Sequence, residues 1–164
     1  MTDGDAEVVL RAARPEDART VAQIWYEGWG DAHLGNVPDE LITLRTRESF
    51  DTRAAQRVPI TTVATVGAAV AGFVMVVEDE VNQVYVSGDH RGSGIAVPLL
   101  AAAESRVRAN GHPQAWLAVV PGNARARKFY SNNGWSDDGP YTNEIPGPAG
   151  SIDVPCRRYV KRVD

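Results

Sequence analysis

The spacing of apolar positions along the chain predicts an alternation of helices and strands. Between residues 18 and 29 the apolar residues recur at helical spacing, which predicts a first helix that begins at Pro15 and is ended by Gly28 and Gly30. Proline and glycine also mark where the other predicted helices begin and end. The further helical segments are a short turn from Pro38 and longer helices near 47–57, 94–110 and 123–133.

Runs of β-branched and apolar residues predict the strands. They fall at 8–12, 60–67, 70–77, 81–86, 114–120, 135–144 and 154–161, with a Gly/Pro-rich loop between the last two. The strands from residue 60 to residue 86 follow one another closely and read as an antiparallel meander. The strands 81–86 and 114–120 are joined by a helix, so we expect this pair to be parallel. The pattern predicts a mixed α+β fold in a single domain over 1–164, with residues 1–6 as a loose tail.

Composition and charge narrow the class of protein. The chain has 164 residues, 43% of them hydrophobic and 23% charged, which is typical of one soluble globular domain. The net charge of −4 and a single small basic cluster at 125–128 argue against a nucleic-acid partner. The one cysteine, Cys156, excludes an internal disulfide, and the three histidines show no metal-ligand spacing, so no metal is expected.

Targeting signals are missing from the pattern. The N-terminal segment is acidic and lacks the basic and apolar regions of a signal peptide. No apolar run approaches the roughly 20 residues of a membrane span. We therefore expect a cytoplasmic protein without a membrane partner.

The stretch HRGSGIA, residues 90–96, follows a predicted strand and opens a predicted helix. Its backbone N–H groups would surround one concavity at the helix N-terminus, which is a site for a pyrophosphate. Gly92 and Gly94 would let the backbone approach the anion closely, and Arg91 adds positive charge. The alternative is an ordinary strand-to-helix turn that binds no ligand, in which glycine is present only because a side chain would not fit.

Two common phosphate-binding patterns do not fit this stretch. A dinucleotide fingerprint needs a third glycine where Val97 stands, and no acidic residue follows at the distance of a ribose contact. A Walker A loop needs the triplet G-K-[ST], which is absent. A third pattern, [QR]-x-x-G-x-[GA], fits residues 91–96.

That pattern and a second segment together resemble the two cofactor-side signatures of the GNAT superfamily of N-acetyltransferases. The second segment, NARARKFYSNNGW at 123–135, fits N-x-x-A-x-x-F-Y-x-x-x-G-[FW]. One helix and one strand separate the two segments, as the family requires. The order of predicted elements matches from Val8 to Lys161, and the C-terminal segment looks like the closing hairpin of one branch of the family.

The resemblance implies the fold, the cofactor and the residues that hold it. The GNAT fold is a twisted, mostly antiparallel sheet of about seven strands with a splayed parallel central pair, flanked by about four helices. The pantetheine arm of acetyl-CoA, the implied co-substrate, lies in the splay, and its pyrophosphate would lie over HRGSGIA. The residues implied to bind it are Tyr85, Val86, Arg91, Gly92, Ser93, Gly94, Ile95, Ala96, Asn123, Arg125, Ala126, Phe129 and Tyr130.

Two catalytic roles follow from the resemblance and from general chemistry. The N–H of Val86, at the open end of its strand, is the candidate oxyanion donor. Tyr130 is the candidate acid, because a tyrosine with a pKa of about 10 can protonate a departing thiolate whose pKa is about 8.5. The alternative for Tyr130 is a core aromatic residue paired with Phe129.

The candidate base is Glu80, which stands where several family members keep a glutamate. It lies six residues before Val86, an even spacing that would keep both side chains on one face of an extended strand. It could act through water. The alternatives are a solvent-facing hairpin residue, Glu78 as a substitute, or no base at all if the amine arrives neutral.

In the family, acceptors usually approach over the first two helices and their connecting loop. Trp29, Asp31 and His33 are therefore the candidate substrate-binding residues. Together with Trp25, Tyr26, Asp39 and Glu40 they predict an aromatic and acidic lining, which suits a cationic amine. The alternatives are that the tryptophans belong to the core and that His33 is a loop residue without a role.

The function that these features imply is transfer of an acetyl group from acetyl-CoA to a primary amine of a small molecule or peptide, by direct attack in a ternary complex. The open alternatives are a longer acyl group, an oxygen acceptor, or a CoA-binding sensor that transfers nothing. A hydrolase is disfavoured, because the chain has no G-x-S-x-G elbow and Cys156 reads as a small buried residue. The resemblance also implies that the protein could form a homodimer in which the closing hairpin is a contact.

Overall fold

The computed structural model describes residues 7–164, which form one seven-stranded mixed sheet with helices on both faces. The strands are β1 (Val8–Ala12), β2 (Thr61–Val66), β3 (Ala69–Val77), β4 (Glu80–Val86), β5 (Gln114–Val119), β6 (Ser136–Gly147) and β7 (Gly150–Arg162). The α-helices are α1 (Ala18–His33), α2 (Asp39–Leu44), α3 (Arg47–Gln56), α4 (Ala96–Ala109) and α5 (Ala124–Asn132). The tail predicted at 1–6 lies outside the described residues.

The strand order β1-β2-β3-β4-β5-β7-β6 confirms the predicted mixed α+β sheet. Neighbouring strands are antiparallel except for β4 and β5, which are the parallel pair expected from the helical connection α4. Within residues 7–164, Glu80 and Trp116 are the only registered pair between these two strands. The N–H of Trp116 also donates to the carbonyl oxygen of Asp79 at 3.0 Å. The two strands are therefore joined at one end and splayed at the other.

The sheet buries a separate apolar cluster on each face. One cluster lies beneath α4 and α5 and includes Leu99, Val107 and Tyr130. The other lies beneath α1 and α3, where Trp25 and Phe50 meet edge to face with ring centroids 5.4 Å apart. The core expected for Trp25 is thus present, and the splay opens between two well-packed layers.

The first helix is longer than the glycines predict. It continues through Gly28 and Gly30 to His33, so the predicted end was wrong. Gly28 is buried against the ring of Tyr85, and a Cβ at this position would overlap that ring. The glycine serves close packing of α1 against β4 instead of ending the helix.

The C-terminal hairpin also differs from its prediction. The segment predicted as a loop between 144 and 154 is strand up to a tight turn, where Gly147 pairs with Gly150. Its prolines are tolerated because β6 is an edge strand and β5 pairs only with 157–162 of β7. The hairpin therefore projects beyond β5 as a two-stranded arm and contributes Ile152 and Val154 to the core beneath α1 and α3.

The expectation that Glu80 and Val86 share one face of their strand was wrong. The register between β3 and β4 shifts at Asn82, where Met75 pairs with Gln83 but Val76 pairs with Val81. Such a bulge changes the alternation of side chains along the strand. Val86 packs against the cluster beneath α4, whereas Glu80 lines a cavity on the opposite face with Arg57 and Asn82.

Candidate active site

Two cavities open on the splay between β4 and β5. We call the first the glycine-side cavity; it has a volume of about 780 Å³ and is lined by 90–92, 94–97 and 122–126 and by the second half of α1. We call the second the arginine-side cavity; it has a volume of about 590 Å³ and is lined by α1, α3, β4, β5 and the hairpin arm. They share the residues Ala32, Val84, Tyr85, Asn123, Ala126 and Tyr130. A molecule in one cavity can therefore meet a molecule in the other at this junction.

The glycine-side cavity is formed by the N-termini of two helices, α4 and α5. Gly92 and Gly94 precede α4 with φ angles of 82° and 79°, a left-handed conformation that side-chain-bearing residues rarely adopt. A Cβ at either glycine would meet no protein atom within 4 Å. The glycines are therefore required by the backbone conformation, and their exposed side is open to a ligand.

Several hydrogen-bond donors converge on this cavity without a partner. Within residues 7–164, the N–H groups of Gly92, Gly94 and Ile95 donate to no other backbone group. The Nδ1 atom of His90, which donates or accepts according to the tautomer, is buried and makes no hydrogen bond in the described part of the chain. The first-turn N–H groups of a helix are free by geometry, and its dipole is positive at that end. The arrangement suits an anion such as a pyrophosphate.

Charged side chains at this cavity are partly engaged with each other. Arg91 donates from Nη2 to Oδ2 of Asp31 at 2.7 Å, so Asp31 lies at the glycine-side cavity and not in the arginine-side cavity. Arg125 lies exposed in the first turn of α5. Ser93 is exposed outside the cavity lining, and its hydroxyl donates to the carbonyl oxygen of His90. The other residues that the resemblance implies for the cofactor all line this cavity.

Tyr130 is a buried tyrosine at the junction of the two cavities. Burial alone raises the pKa of its hydroxyl to about 12, because the charged form would be desolvated. Nearby, Oδ1 of Asn123 accepts from the N–H of Ala126 at 3.2 Å and so caps α5. This cap holds α5 against the splay and aims its first two turns, including Tyr130, at the junction.

The splayed edge of β4 offers free backbone groups. The N–H of Ser87 donates to the carbonyl oxygen of Ala71 at 2.8 Å, on the β3 side. Because backbone groups alternate between the two edges of a strand, Val86 and Val84 direct their N–H groups toward β5. Val84 lines both cavities, whereas Val86 lines only the glycine-side cavity. The junction thus lies two residues earlier than the position that the sequence suggested.

Two residues of the arginine-side cavity could accept a proton. Burial raises the pKa of Glu80 above its usual range, and its hydrogen bond with Asn82 partly offsets this. His33 stacks on Trp29 with ring centroids 4.8 Å apart, and its Nδ1 lies 3.0 Å from the carbonyl oxygen of Trp29. A carbonyl only accepts, so Nδ1 carries the proton and Nε2 is the free acceptor. Burial, the hydrogen bond to Trp29 and the charge of Arg45 act on this imidazole, and the net effect lowers its pKa.

Of the residues predicted to bind the acceptor, Trp29 and His33 line the arginine-side cavity, and Asp31 does not. Asp39 and Glu40 do not line it either, so the acidic lining predicted there was wrong. Cys156 lines it as a buried residue, and burial raises the pKa of its thiol to about 11, which makes it a poor nucleophile. The residues that the sequence did not single out are Arg45, Arg53, Arg57, Val84 and His90.

None of the helices within residues 7–164 is long and apolar enough to span a bilayer. The described part of the chain also holds no group of three or more histidine, cysteine, aspartate or glutamate residues arranged to bind a metal ion.

Solved structures with the same architecture come from several organisms. The PaiA N-acetyltransferase from Thermoplasma acidophilum, in complex with coenzyme A, is 18% identical over 95% of this chain and 99% of its own, with a TM-score of 0.72. YncA from Salmonella typhimurium, with its cofactor acetyl-CoA, is 15% identical over 96% of this chain and 95% of its own, with a TM-score of 0.69. An N-acetyltransferase from Staphylococcus aureus Mu50 is 17% identical over 96% and 99%, with a TM-score of 0.71. At these identities the likeness shows the fold.

Sequence comparison identifies the family. No curated protein matches the chain. The model of the acetyltransferase (GNAT) family, however, matches residues 21–135, which include both signature segments and the splayed strands. The chain belongs to the acetyltransferase (GNAT) family.

Proposed function

We propose that this protein transfers the acetyl group of acetyl-CoA to a primary amine by direct attack in a ternary complex. The observation that carries the proposal is the junction of the two cavities, where Val84, Asn123 and Tyr130 face both. A donor in one cavity and an acceptor in the other would meet there without a covalent enzyme intermediate. The family membership and the transferases of the same fold support acyl transfer as the reaction.

The glycine-side cavity would take the CoA moiety. The free N–H groups of Gly92, Gly94 and Ile95 would donate to the pyrophosphate, and Arg125 would add charge. The pantetheine arm would pair with the free edge of β4 at Val86. PaiA and YncA have been solved with coenzyme A and acetyl-CoA respectively, which supports this choice of ligand.

The reaction needs a donor for the carbonyl oxygen that becomes negative. The sequence suggested the N–H of Val86 for this role. We assign it instead to the N–H of Val84, because Val84 faces both cavities and Val86 only one. A backbone N–H held by a sheet is a preorganised donor and needs no reorganisation as charge develops.

Tyr130 would complete the transfer at the leaving group. The amine nitrogen forms a bond to the acetyl carbon, the C–S bond breaks, and the thiolate takes the hydroxyl proton of Tyr130. With a pKa of about 12, the hydroxyl is protonated at neutral pH, and burial makes it a weaker acid than an exposed tyrosine. The attacking amine loses its proton to the base or to solvent. Tyr130 then regains a proton from solvent, which restores the starting state of the site.

Glu80 is the proposed base and would act through water. It lies four positions before Val84, about 13 Å along an extended strand, so we place a bridging water between the carboxylate and an amine at the junction. Its raised pKa brings the carboxylate closer to the basicity that proton abstraction requires. His33, with its free Nε2 in the same cavity, is the second group able to accept this proton.

The experiment that tests the function has two stages. Calorimetric titration with acetyl-CoA should show micromolar binding, while NAD and ATP as controls should show none. A panel of amines is then screened for acetyl-CoA-dependent thiol release. Binding without thiol release from any amine would favour the alternative of a CoA-binding sensor, and turnover only with longer acyl-CoA would change the donor. Absence of acetyl-CoA binding would refute the proposal.

A further inference from the structure

Three arginines face the arginine-side cavity without an acidic partner. Arg45 follows α2, and Arg53 and Arg57 lie on and directly after the last turn of α3. Within residues 7–164, no carboxylate oxygen lies within 4.0 Å of any of the three guanidinium groups. By contrast, Arg91 and Arg157, at partly exposed positions, each reach a carboxylate at 3.0 Å or less.

Arg53 is the most constrained of the three. Its Cζ lies 4.2 Å from the centre of the Trp25 ring, and its Nη1 is buried without a hydrogen-bond partner in the described part of the chain. Burial above all, together with the charges of Arg45 and Arg57, lowers its pKa to about 9. A buried guanidinium that is unpaired and repelled by two neighbours is costly, because burial of charge is tolerated when the charge is paired.

The remaining groups of the cavity do not neutralise this charge. Arg57 donates to Oδ1 of Asn82 at 2.9 Å, which is a neutral acceptor. Glu80 is the one acidic residue among the lining residues that the structure describes, and burial raises its pKa. Even with Glu80 ionised, three positive charges face one negative charge, so the cavity carries an excess of two.

Stacking on Trp25 explains the position of Arg53 but not the cluster. A cation–π contact uses the face of the guanidinium and leaves its in-plane N–H groups without acceptors. It also does nothing to reduce the repulsion among Arg45, Arg53 and Arg57. A ligand with oxyanion groups would accept hydrogen bonds from the free N–H groups and would also reduce the repulsion. The planar fork of arginine matches carboxylate and phosphoryl oxygens.

We propose that the acetyl acceptor is a small amine that carries an oxyanion group, a carboxylate or a phosphoryl group, which Arg45, Arg53 and Arg57 bind. The arginine-side cavity also includes Tyr130 and Val84, so one molecule can place its anionic end among the arginines and its amine at the junction. This inference rests on the proposed function, and it replaces the cationic amine that the sequence suggested. Polycationic amines would be repelled from the same cavity.

The test measures acetyl-CoA-dependent thiol release with matched pairs of amines. Tyrosine is compared with tyramine, γ-aminobutyrate with butylamine, and phosphoethanolamine with ethanolamine, with spermidine as a cationic amine. The carboxylate pairs and the phosphoryl pair separate the two oxyanion sources. We expect the oxyanionic member of at least one pair to have a kcat/KM about tenfold or more above its partner, the scale of one charge-assisted hydrogen bond. Faster turnover of the members that lack the oxyanion, or of spermidine, would overturn the inference and leave acetyl transfer intact.

Three variants examine the arginines themselves, and a fourth serves as a control. In Arg45→Gln and Arg53→Gln, the KM for the preferred oxyanionic amine should rise at least about tenfold, with the affinity for acetyl-CoA unchanged. Arg53→Lys keeps the positive charge but loses the planar guanidinium. Its KM should therefore lie between those of the wild type and Arg53→Gln. Arg47→Gln is the control, because Arg47 lies on α3 but pairs with Asp51 at the surface. If Arg45→Gln and Arg53→Gln both keep the wild-type KM, the arginines do not bind the acceptor.

A binding measurement keeps the inference testable if no amine is turned over. With CoA at saturation to fill the glycine-side cavity, glutarate should raise the melting temperature of the wild type. Arg45→Gln and Arg53→Gln should lose that rise, and Arg47→Gln should keep it. Acetyl-CoA binding and a glutarate response without thiol release would retain the anion site and contradict the transferase function. The absence of any glutarate response would contradict the anion site itself.

Discussion

The glycine-side and arginine-side cavities recognise their ligands with different parts of the chain. The first uses backbone N–H groups at two helix N-termini, held open by Gly92 and Gly94. The second uses side chains from separate elements, with Arg53 stacked on Trp25 and Arg57 held by Asn82. A backbone site needs specific conformations in consecutive residues, so it leaves a local motif. A side-chain site needs only that distant residues meet, so it can change from one family member to another while the first stays constant.

The largest expected effect concerns the junction that the two cavities share. In Tyr130→Phe, kcat should fall by about 100-fold or more, because the leaving thiolate loses its proton donor. The affinity for acetyl-CoA should change little, since the ring and its packing remain. Steady-state thiol release and calorimetry measure the two quantities. An unchanged kcat would assign the proton to another group and would leave Tyr130 as a packing residue.

The pH dependence gives the same prediction a second check. The pKa of Tyr130 in the folded protein is about 12, so its hydroxyl is protonated below that pH. The proton that it could donate is lost as the pH rises through the pKa. The wild-type kcat should therefore show no decline due to this group up to about pH 10, the usual pKa of tyrosine. Tyr26→Phe, at an exposed position on α1, is the matched control and should behave as the wild type.

The next effect tests whether the glycine-side cavity depends on backbone conformation. In Gly94→Ala, the left-handed φ costs about 1 kcal/mol of stability, and the added methyl group points into the cavity. We expect the affinity for acetyl-CoA to fall by at least tenfold, because the pyrophosphate can no longer approach the N–H groups. The measurement is calorimetric titration with acetyl-CoA.

Gly67→Ala provides a matched control for the strain alone. Gly67 has a φ of 61° in the turn between β2 and β3, and a Cβ there would also meet no atom within 4 Å. It should lower the melting temperature to a similar degree as Gly94→Ala but leave the affinity for acetyl-CoA unchanged. Equal loss of affinity in both variants would mean that global destabilisation, and not the cavity, is responsible.

A smaller effect is expected at the base. Because burial raises the pKa of Glu80, the carboxylate needed for catalysis forms as the pH rises through that pKa, and kcat/KM should rise with it. In Glu80→Gln this rise with pH should vanish and kcat/KM at neutral pH should fall by about tenfold, less than is usual for general bases because the carboxylate acts through water. His33→Asn is the comparison variant. If it removes the rise with pH and Glu80→Gln does not, His33 is the base.

The contrast between the cavities also explains what could be predicted from the sequence. The glycine-side cavity could be predicted because the segments 91–96 and 123–135 each keep several functional residues at fixed spacing. The parallel pairing of β4 and β5 followed from the helical connection between them, and their splay was implied by the family resemblance. Local conformation and local chemistry coincide in these segments, and all but Ser93 of the predicted cofactor residues line the cavity.

The arginine-side cavity could not be predicted because long-range packing decides which side chains line it. The bulge at Asn82 places Glu80 on the face opposite to Val86, and the periodicity of the strand sequence does not predict this bulge. Gly28 read as a helix end because its contact with Tyr85 is invisible in the local sequence. Arg53 and Arg57 do stand four residues apart, at and just after the C-terminal end of α3, but that spacing alone is typical of a solvated helix.

The smallest expected effect sharpens the contrast between a paired and an unpaired arginine. Asp31→Asn removes the partner of Arg91, whose ion pair is partly exposed and contributes about 0.5 kcal/mol or less to stability. The freed charge of Arg91 should raise the affinity for acetyl-CoA about two- to fivefold at low salt, and less at high salt because solvent ions screen it. Calorimetry at two ionic strengths measures this. A loss of affinity would mean instead that Asp31 orients Arg91 toward the ligand, so that pairing on the glycine side prepares the cavity and does not compete with it.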